Sequence, residues 1–204
     1  VALISSQVPG GAVSAQILTR LALKSFLGSI GQKAPKDSQS HSPHKGIVYD
    51  LGVYMPCSSV VKQRVSSFRE SDVETSLHEY TRGVVSVVDT FKQGFENIKF
   101  YCAGLLPVAF CHFKHAKLDY DYYFLLEHDW LMLPTRLNAT VHDILKAMEI
   151  SGVDYALLQR GTRPFTELLT LNPVILSVTP YYSNNPFLAT ATFMKRIGSE
   201  SSLC

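Results

Sequence analysis

The sequence predicts an α/β protein: a mostly parallel sheet sandwiched between layers of helix. Three observations carry that expectation. Short β-prone runs alternate with longer stretches whose apolar residues recur at helical spacing. Two of the runs, 46–51 and 122–126, are largely apolar rather than alternating, as strands covered on both faces are. Each of the two ends in acid, Asp50 in the first and Glu127 and Asp129 after the second. Acids at the carboxyl end of a buried strand stand where open α/β sheets take their ligands.

In chain order, residues 1–5 make a short apolar strand, and Ser6, Gln7, Pro9, Gly10 and Gly11 have loop composition. Val13, Ile17, Leu18, Leu21, Leu23, Phe26, Leu27 and Ile30 then follow helical spacing, giving an amphipathic helix over 13–30 that Gly31 ends. Strand, polar loop and helix open a βαβ unit. Residues 32–45 are polar and rich in Ser, Pro and His. They read as an exposed loop, with no apolar frame to hold His41 and His44 on a metal. The second strand, 46–51, ends in Asp50 and is closed by Gly52. Residues 60–68 alternate apolar and polar, a third strand with helix as its rival. A helix over 72–95 follows on Val73, Leu77, Tyr80, Val84, Val87, Val88 and Phe91, although the β-branched cluster at 84–88 disfavours helix in its middle.

Residues 97–102 form a short strand, and Gly104 opens a helix over 105–118 with Pro107 in its first turn. The apolar strand 122–126 comes next, then a loop over 130–138, a helix over 140–150 stopped by Ser151 and Gly152, and a strand over 154–158. Residues 160–164 are a turn carrying two arginines. Residues 168–178 make one or two strands broken at Asn172-Pro173, 181–187 are a polar and aromatic loop, and a helix over 190–197 closes the chain.

The chain has 204 residues, most simply one domain over 1–204 and long enough for a substantial core. It is 46% hydrophobic and 18% charged, which argues against disorder. A net charge of +2 gives no case for nucleic acid or an anionic membrane surface. No run of 18 apolar residues occurs, so no membrane-spanning helix is expected. A first residue Val1 in place of Met suggests a processed product or a domain excised from a longer protein. Cys57, Cys102, Cys111 and Cys204 are scattered without CxxC spacing, which points to packing or free thiols rather than a zinc site or a disulfide scaffold. Asn138-Ala139-Thr140 matches a glycosylation sequon, a triplet common by chance.

The chemistry-bearing stretch is DYYFLLEHDW, residues 121–130. In a regular strand Glu127 and Asp129 point one way and His128 the other, the two acids being about 7 Å apart at roughly 3.3 Å per residue. Two such carboxylates can share a hydrated hard cation, and such a cation usually carries phosphates. A strand that merely ends in solvated acids would look the same. His128, facing away, is expected to be packed or hydrogen-bonded. GxGxxG, GxxxxGK[ST] and GxSxG are all absent from the chain, which weakens dinucleotide-binding, P-loop and α/β-hydrolase readings.

A first strand leading through Ser5 and Ser6 into a helix, a second strand ending in Tyr49-Asp50-Leu51-Gly52, Gly104 before a helix, and a strand ending in Glu127-His128-Asp129 occur in that order. This series resembles the nucleotide-sugar-binding half of GT-A glycosyltransferases, a Rossmann-like three-layer sandwich. The acid pair resembles the family's DXD motif, with Glu127 in place of the first Asp, and the segment YYSNNPFLATATFMKRIG resembles its acceptor side. The resemblance implies transfer of a sugar from a nucleoside diphosphate sugar to the hydroxyl of a glycan or other acceptor. Asp129 would bind Mn²⁺ or Mg²⁺ directly, and Glu127 would hold it through water or touch the ribose. Asp50 would accept from the base N–H, with Ser5 and Ser6 lining the same pocket and Gly104 on the donor side. Arg160 and Arg163 would brace phosphates, Asn184 and Asn185 would bind acceptor hydroxyls, and Trp130 and Tyr182 would stack on sugar faces.

Each assignment has a plainer counterpart. Asp50 is also a turn acid before Gly52, Ser5 and Ser6 an ordinary polar turn, the arginines solvated, the asparagines turn formers before Pro186, and Trp130 packed. An inverting enzyme needs a carboxylate to take the acceptor proton; Glu167 and Asp154 lie downstream, and nothing in the sequence singles out either. Two other readings use the same acids. One is a sugar-phosphate nucleotidyltransferase, although SQVPGGA lacks the basic residue expected of its glycine-rich loop. The other is a non-catalytic nucleotide-sugar-binding module.

Overall fold

A computed structural model describes residues 1–4, 11–30, 47–56, 70–102, 120–128, 139–158, 167–178 and 186–200. In chain order these give β1 (Ala2–Ile4), α1 (Gly11–Ser29), β2 (Leu51–Met55), α2 (Glu70–Asp89), a 3₁₀ turn (Lys92–Gly94), β3 (Ile98–Cys102) and β4 (Tyr122–Glu127). Then come α3 (Val141–Ser151), β5 (Tyr155–Leu157), β6 (Glu167–Leu171), β7 (Val174–Val178), β8 (Phe187–Thr190) and α4 (Ala191–Glu200). The expected third strand at 60–68 and the helix at 105–118 lie outside the described residues.

The protein is α/β, with a mostly parallel, mixed six-stranded sheet in the order β3-β2-β1-β4-β8-β5. β3, β2, β1 and β4 run parallel, and β8 is antiparallel to both β4 and β5. β6 and β7 form a separate antiparallel hairpin broken at Asn172-Pro173, as the two-strand alternative for 168–178 requires. Alternation along the strands sorts the sheet into two faces. Leu3, Val53, Phe124 and Leu126 join a core shared with Phe26 of α1, Val84 and Val88 of α2, and Ile144 and Met148 of α3. Ala2, Ile4, Tyr54, Leu125 and Phe187 join a smaller core with Met194 of α4. Helices thus cover both faces, which is why β4 is buried from Tyr123 through Leu126.

The central valines of α2 are helical despite their β-branching, because Val84, Val87 and Val88 are buried against α1 and the sheet. Packing outweighs a propensity difference of less than about 1 kcal/mol per residue. The helix stops at Asp89 rather than running to 95: Phe91 N–H donates to the Val88 carbonyl and Gly94 N–H to the Phe91 carbonyl, tightening the chain into the 3₁₀ turn.

Three expectations need correction. The second strand is Leu51–Met55, not 46–51, so Asp50 stands before its first residue instead of at its end. Gly52 lies inside the strand; a Cβ there would come within 3.1 Å of Cε2 of Tyr54 and 3.3 Å of Cε2 of Tyr101. It marks a close ring approach, not a strand end. Residues 187–189, read as part of a loop and its sequel, belong to β8, a central strand between β4 and β5 in which Phe187 and Ala189 are fully buried. Finally, Cys102 is disulfide-bonded rather than a free thiol, with its partner outside the described residues.

Candidate functional site

The sheet presents two ends, and the acids of interest are divided between them. At the carboxyl end, Ile4 of β1 pairs in register with Glu127 of β4. From β1 the chain crosses to β2 and β3 on one side, then returns to β4 on the other. The β1–β4 boundary is therefore the topological switch point, the place at which open α/β sheets take their ligands. Glu127 is half-buried there, on the same face as Ile4.

His128 follows Glu127 and is buried. Its backbone N–H donates to the Ile4 carbonyl at 3.0 Å, and its Nδ1 lies 3.2 Å from the same oxygen, a contact that needs the proton on Nδ1. The histidine is packed and hydrogen-bonded, as expected, and fastens the tip of β4 to the tip of β1. Asp129, Trp130, Ser5, Ser6, Gly104, Arg160, Arg163, Asn184, Asn185 and Tyr182 lie outside the described residues. Glu167 is exposed at the head of β6, in the separate hairpin. Asp154 accepts from Thr190 Oγ1 at 2.8 Å and ties the start of β5 to the end of β8. Among the described residues no three His, Cys, Asp or Glu side chains come together.

Asp50 is at the opposite, amino end. Tyr54 is level with Ile4 and Glu127, so Asp50, four positions earlier in the chain and just before β2, is roughly 13 Å back along the strands at about 3.3 Å per residue. The structure does not bring the Asp50 and Glu127 side chains together. The reason is register: shifting β2 by several residues moves its acid from one end of the sheet to the other.

At the amino end Asp50 organises a cluster of its own. Its Oδ1 accepts from the Asn97 backbone N–H at 3.1 Å and from Asn97 Nδ2 at 3.0 Å; its Oδ2 accepts from Tyr120 Oη at 2.8 Å. Burial works to raise the Asp50 pKa, but the hydrogen bonds from Tyr120 and Asn97 outweigh it and hold the carboxyl below its ordinary value. Tyr120 is driven the other way, by burial and by its bond to Asp50, and keeps its proton.

Beside this cluster a small, open pocket of about 30 Å³ is lined by Asp50, Gly52, Tyr54, Lys99, Tyr101 and Tyr123, among others. Tyr54 and Tyr101 stack at 4.9 Å with their planes 23° apart, and Tyr120 meets Tyr123 edge-on at 5.9 Å. Of these residues Asp50 and Gly52 stand out in the sequence, but not the tyrosines or Lys99, whose sequence signal is period two, Gly52 with Tyr54 and Lys99 with Tyr101.

No protein-family model, curated protein or solved structure matches this chain.

Proposed function

We propose that the chain is a metal-dependent glycosyltransferase of GT-A type, moving a sugar from a nucleoside diphosphate sugar to an acceptor hydroxyl. The observation that carries this reading is the half-buried Glu127 at the β1–β4 switch point, the crevice in which open α/β sheets take nucleotides. The pattern of a parallel β3-β2-β1-β4 half joined to a mixed β8-β5 half is compatible with a Rossmann-like, three-layer arrangement. The donor set suits a hard divalent cation: Glu127 supplies carboxylate oxygen, and Asp129, two residues on, supplies more. When bound, Mn²⁺ or Mg²⁺ neutralises the charge that develops on the leaving diphosphate.

Asp129 serves as the direct ligand, and Glu127 acts through water or on the ribose. Ser5 and Ser6, following β1, hydrogen-bond the nucleoside. Arg160 and Arg163 donate to phosphate oxygens, with Gly104 on the donor side. Asn184, Asn185 and Trp130 receive the acceptor. In the reaction the bond from the anomeric carbon to the diphosphate oxygen breaks and one to the acceptor oxygen forms, through an oxocarbenium-like state. Glu167 is the carboxylate assigned to take the acceptor proton.

The test is calorimetric titration of a panel of nucleoside diphosphate sugars with and without Mn²⁺, together with assay of the products. Mn²⁺-dependent binding and release of nucleoside diphosphate are expected, with Asp129→Ala lowering turnover by on the order of 10²-fold and Glu127→Ala less. Binding without turnover would make the chain a nucleotide-sugar-binding module. Pyrophosphate released from a nucleoside triphosphate would make it a nucleotidyltransferase. Binding unchanged in Asp129→Ala would remove the metal site altogether.

A further inference from the structure

His128 is the buried titratable side chain that the proposed transfer leaves without a part. It follows Glu127 directly, and its ring is only 1% exposed, a costly place for a polar group unless it is hydrogen-bonded. The Ile4 carbonyl accepts from the His128 backbone N–H at 3.0 Å and lies 3.2 Å from Nδ1, so both lone pairs of that oxygen are used. Ile4 is the last residue of β1, and Glu127 is its register partner on β4. The His128 N–H belongs to the Glu127–His128 peptide, so its bond sets the plane from which the Glu127 side chain departs. The ring adds a second anchor to the same oxygen. It does so where β1 offers only three residues to hold the end of β4.

We propose that His128 is a positioning residue, whose Nδ1–H holds Glu127 in the orientation in which its carboxylate takes a divalent cation; this rests on the metal-dependent reading above. Groups that orient a ligand side chain govern metal affinity nearly as strongly as the ligands themselves. A ligand role through Nδ1 is excluded by the same contact, because a nitrogen that donates its proton to the Ile4 carbonyl has no lone pair for a metal. The rival is plain core packing, in which the ring only fills space. The two roles ask different things of the side chain. Positioning needs an N–H donor attached to Cγ, whereas packing needs only volume. Asparagine and leucine have nearly the same shape and differ in that donor, so the pair separates the two roles.

Titration of the full 204-residue chain with Mn²⁺ alone, read by electron paramagnetic resonance of the free ion, tests this, with the metal-free Tm of each protein measured alongside. His128→Leu should weaken Mn²⁺ binding by about tenfold or more. His128→Asn, which carries Nδ2 on Cγ where the ring carries Nδ1, should stay within about threefold of the parent. Should His128→Leu fail to fold, His128→Gln replaces it, because its donor stands one bond further out and should give the same loss. Equal Mn²⁺ affinity in the parent and His128→Leu overturns the positioning role alone. A loss in His128→Asn as deep as in His128→Leu also overturns it, as does an affinity that merely follows Tm across the variants. A parent that binds no Mn²⁺ overturns it too, and binding of nucleoside diphosphate sugars in the calorimetric panel then decides the transferase reading separately.

Discussion

Asp50 shows how much a single residue's meaning depends on register. Read as the tip of a strand it was a ligand group; seated before Leu51 it is a junction that holds the approach to β3 and the approach to β4 against β2. Its carboxyl titrates below the ordinary value near 3.8 in the folded chain, so folding favours the carboxylate. The stability it contributes is complete above that ordinary value and is lost as pH falls through the lower folded one. Asp50→Asn should therefore destabilise the protein at pH 7 by about 1–2 kcal/mol, a partly exposed group losing charge-assisted hydrogen bonds. Urea midpoints should fall less between pH 7 and pH 3 in the variant than in the parent. An equal fall in both would show that Asp50 does not carry the acid sensitivity.

At the scale of elements, α3 is the clearest case of local chemistry setting its own limits. Thr140 Oγ1 accepts from the Asp143 N–H at 3.2 Å while Asp143 Oδ2 accepts from the Thr140 N–H at 2.8 Å, a reciprocal capping box. At the other end Gly152 adopts φ 67°, and its N–H donates to the Met148 carbonyl. Thr140→Ala should cost about 1 kcal/mol. Gly152→Ala should cost a similar amount from backbone strain alone, on the order of 1 kcal/mol, because no atom lies within 4 Å of the added Cβ. The two sites are a helix apart, so thermal denaturation of the double variant should show the costs adding. A clear departure from additivity would mean that the helix ends communicate.

For the whole molecule, the switch point depends on β1, a strand of only three residues held between β2 and β4. Such a short central strand is secured by its neighbours, by Leu3 in the core and by the His128 bonds to Ile4. Edge strand β3 has a covalent tie, the disulfide at Cys102. Reducing it should lower stability by about 2–4 kcal/mol, read as a fall in Tm on adding dithiothreitol. The Cys102→Ser variant should show that fall without reductant and no further fall with it. A Tm indifferent to both would mean that the bridge does not constrain the unfolded chain.

The sequence by itself determined the α/β class, the burial of β4, the extents of α1 and α3 to within a few residues, the β6–β7 break and the packed state of His128. These are local matters: apolar periodicity, capping residues and alternation depend on neighbours a few positions away. Only the tertiary structure decided the register of β2, the insertion of β8 between β4 and β5, the persistence of helix through the valines of α2, and the bonding of Cys102. Each of those depends on partners distant in sequence. Gly52 is tolerated in a strand because tyrosine rings occupy the space above it, Phe187 is a strand residue because β4 and β5 flank it, and a disulfide partner is chosen by proximity rather than spacing. The same long-range pairing put Glu127 at the switch point and Asp50 before the first residue of β2, at the other end of the sheet.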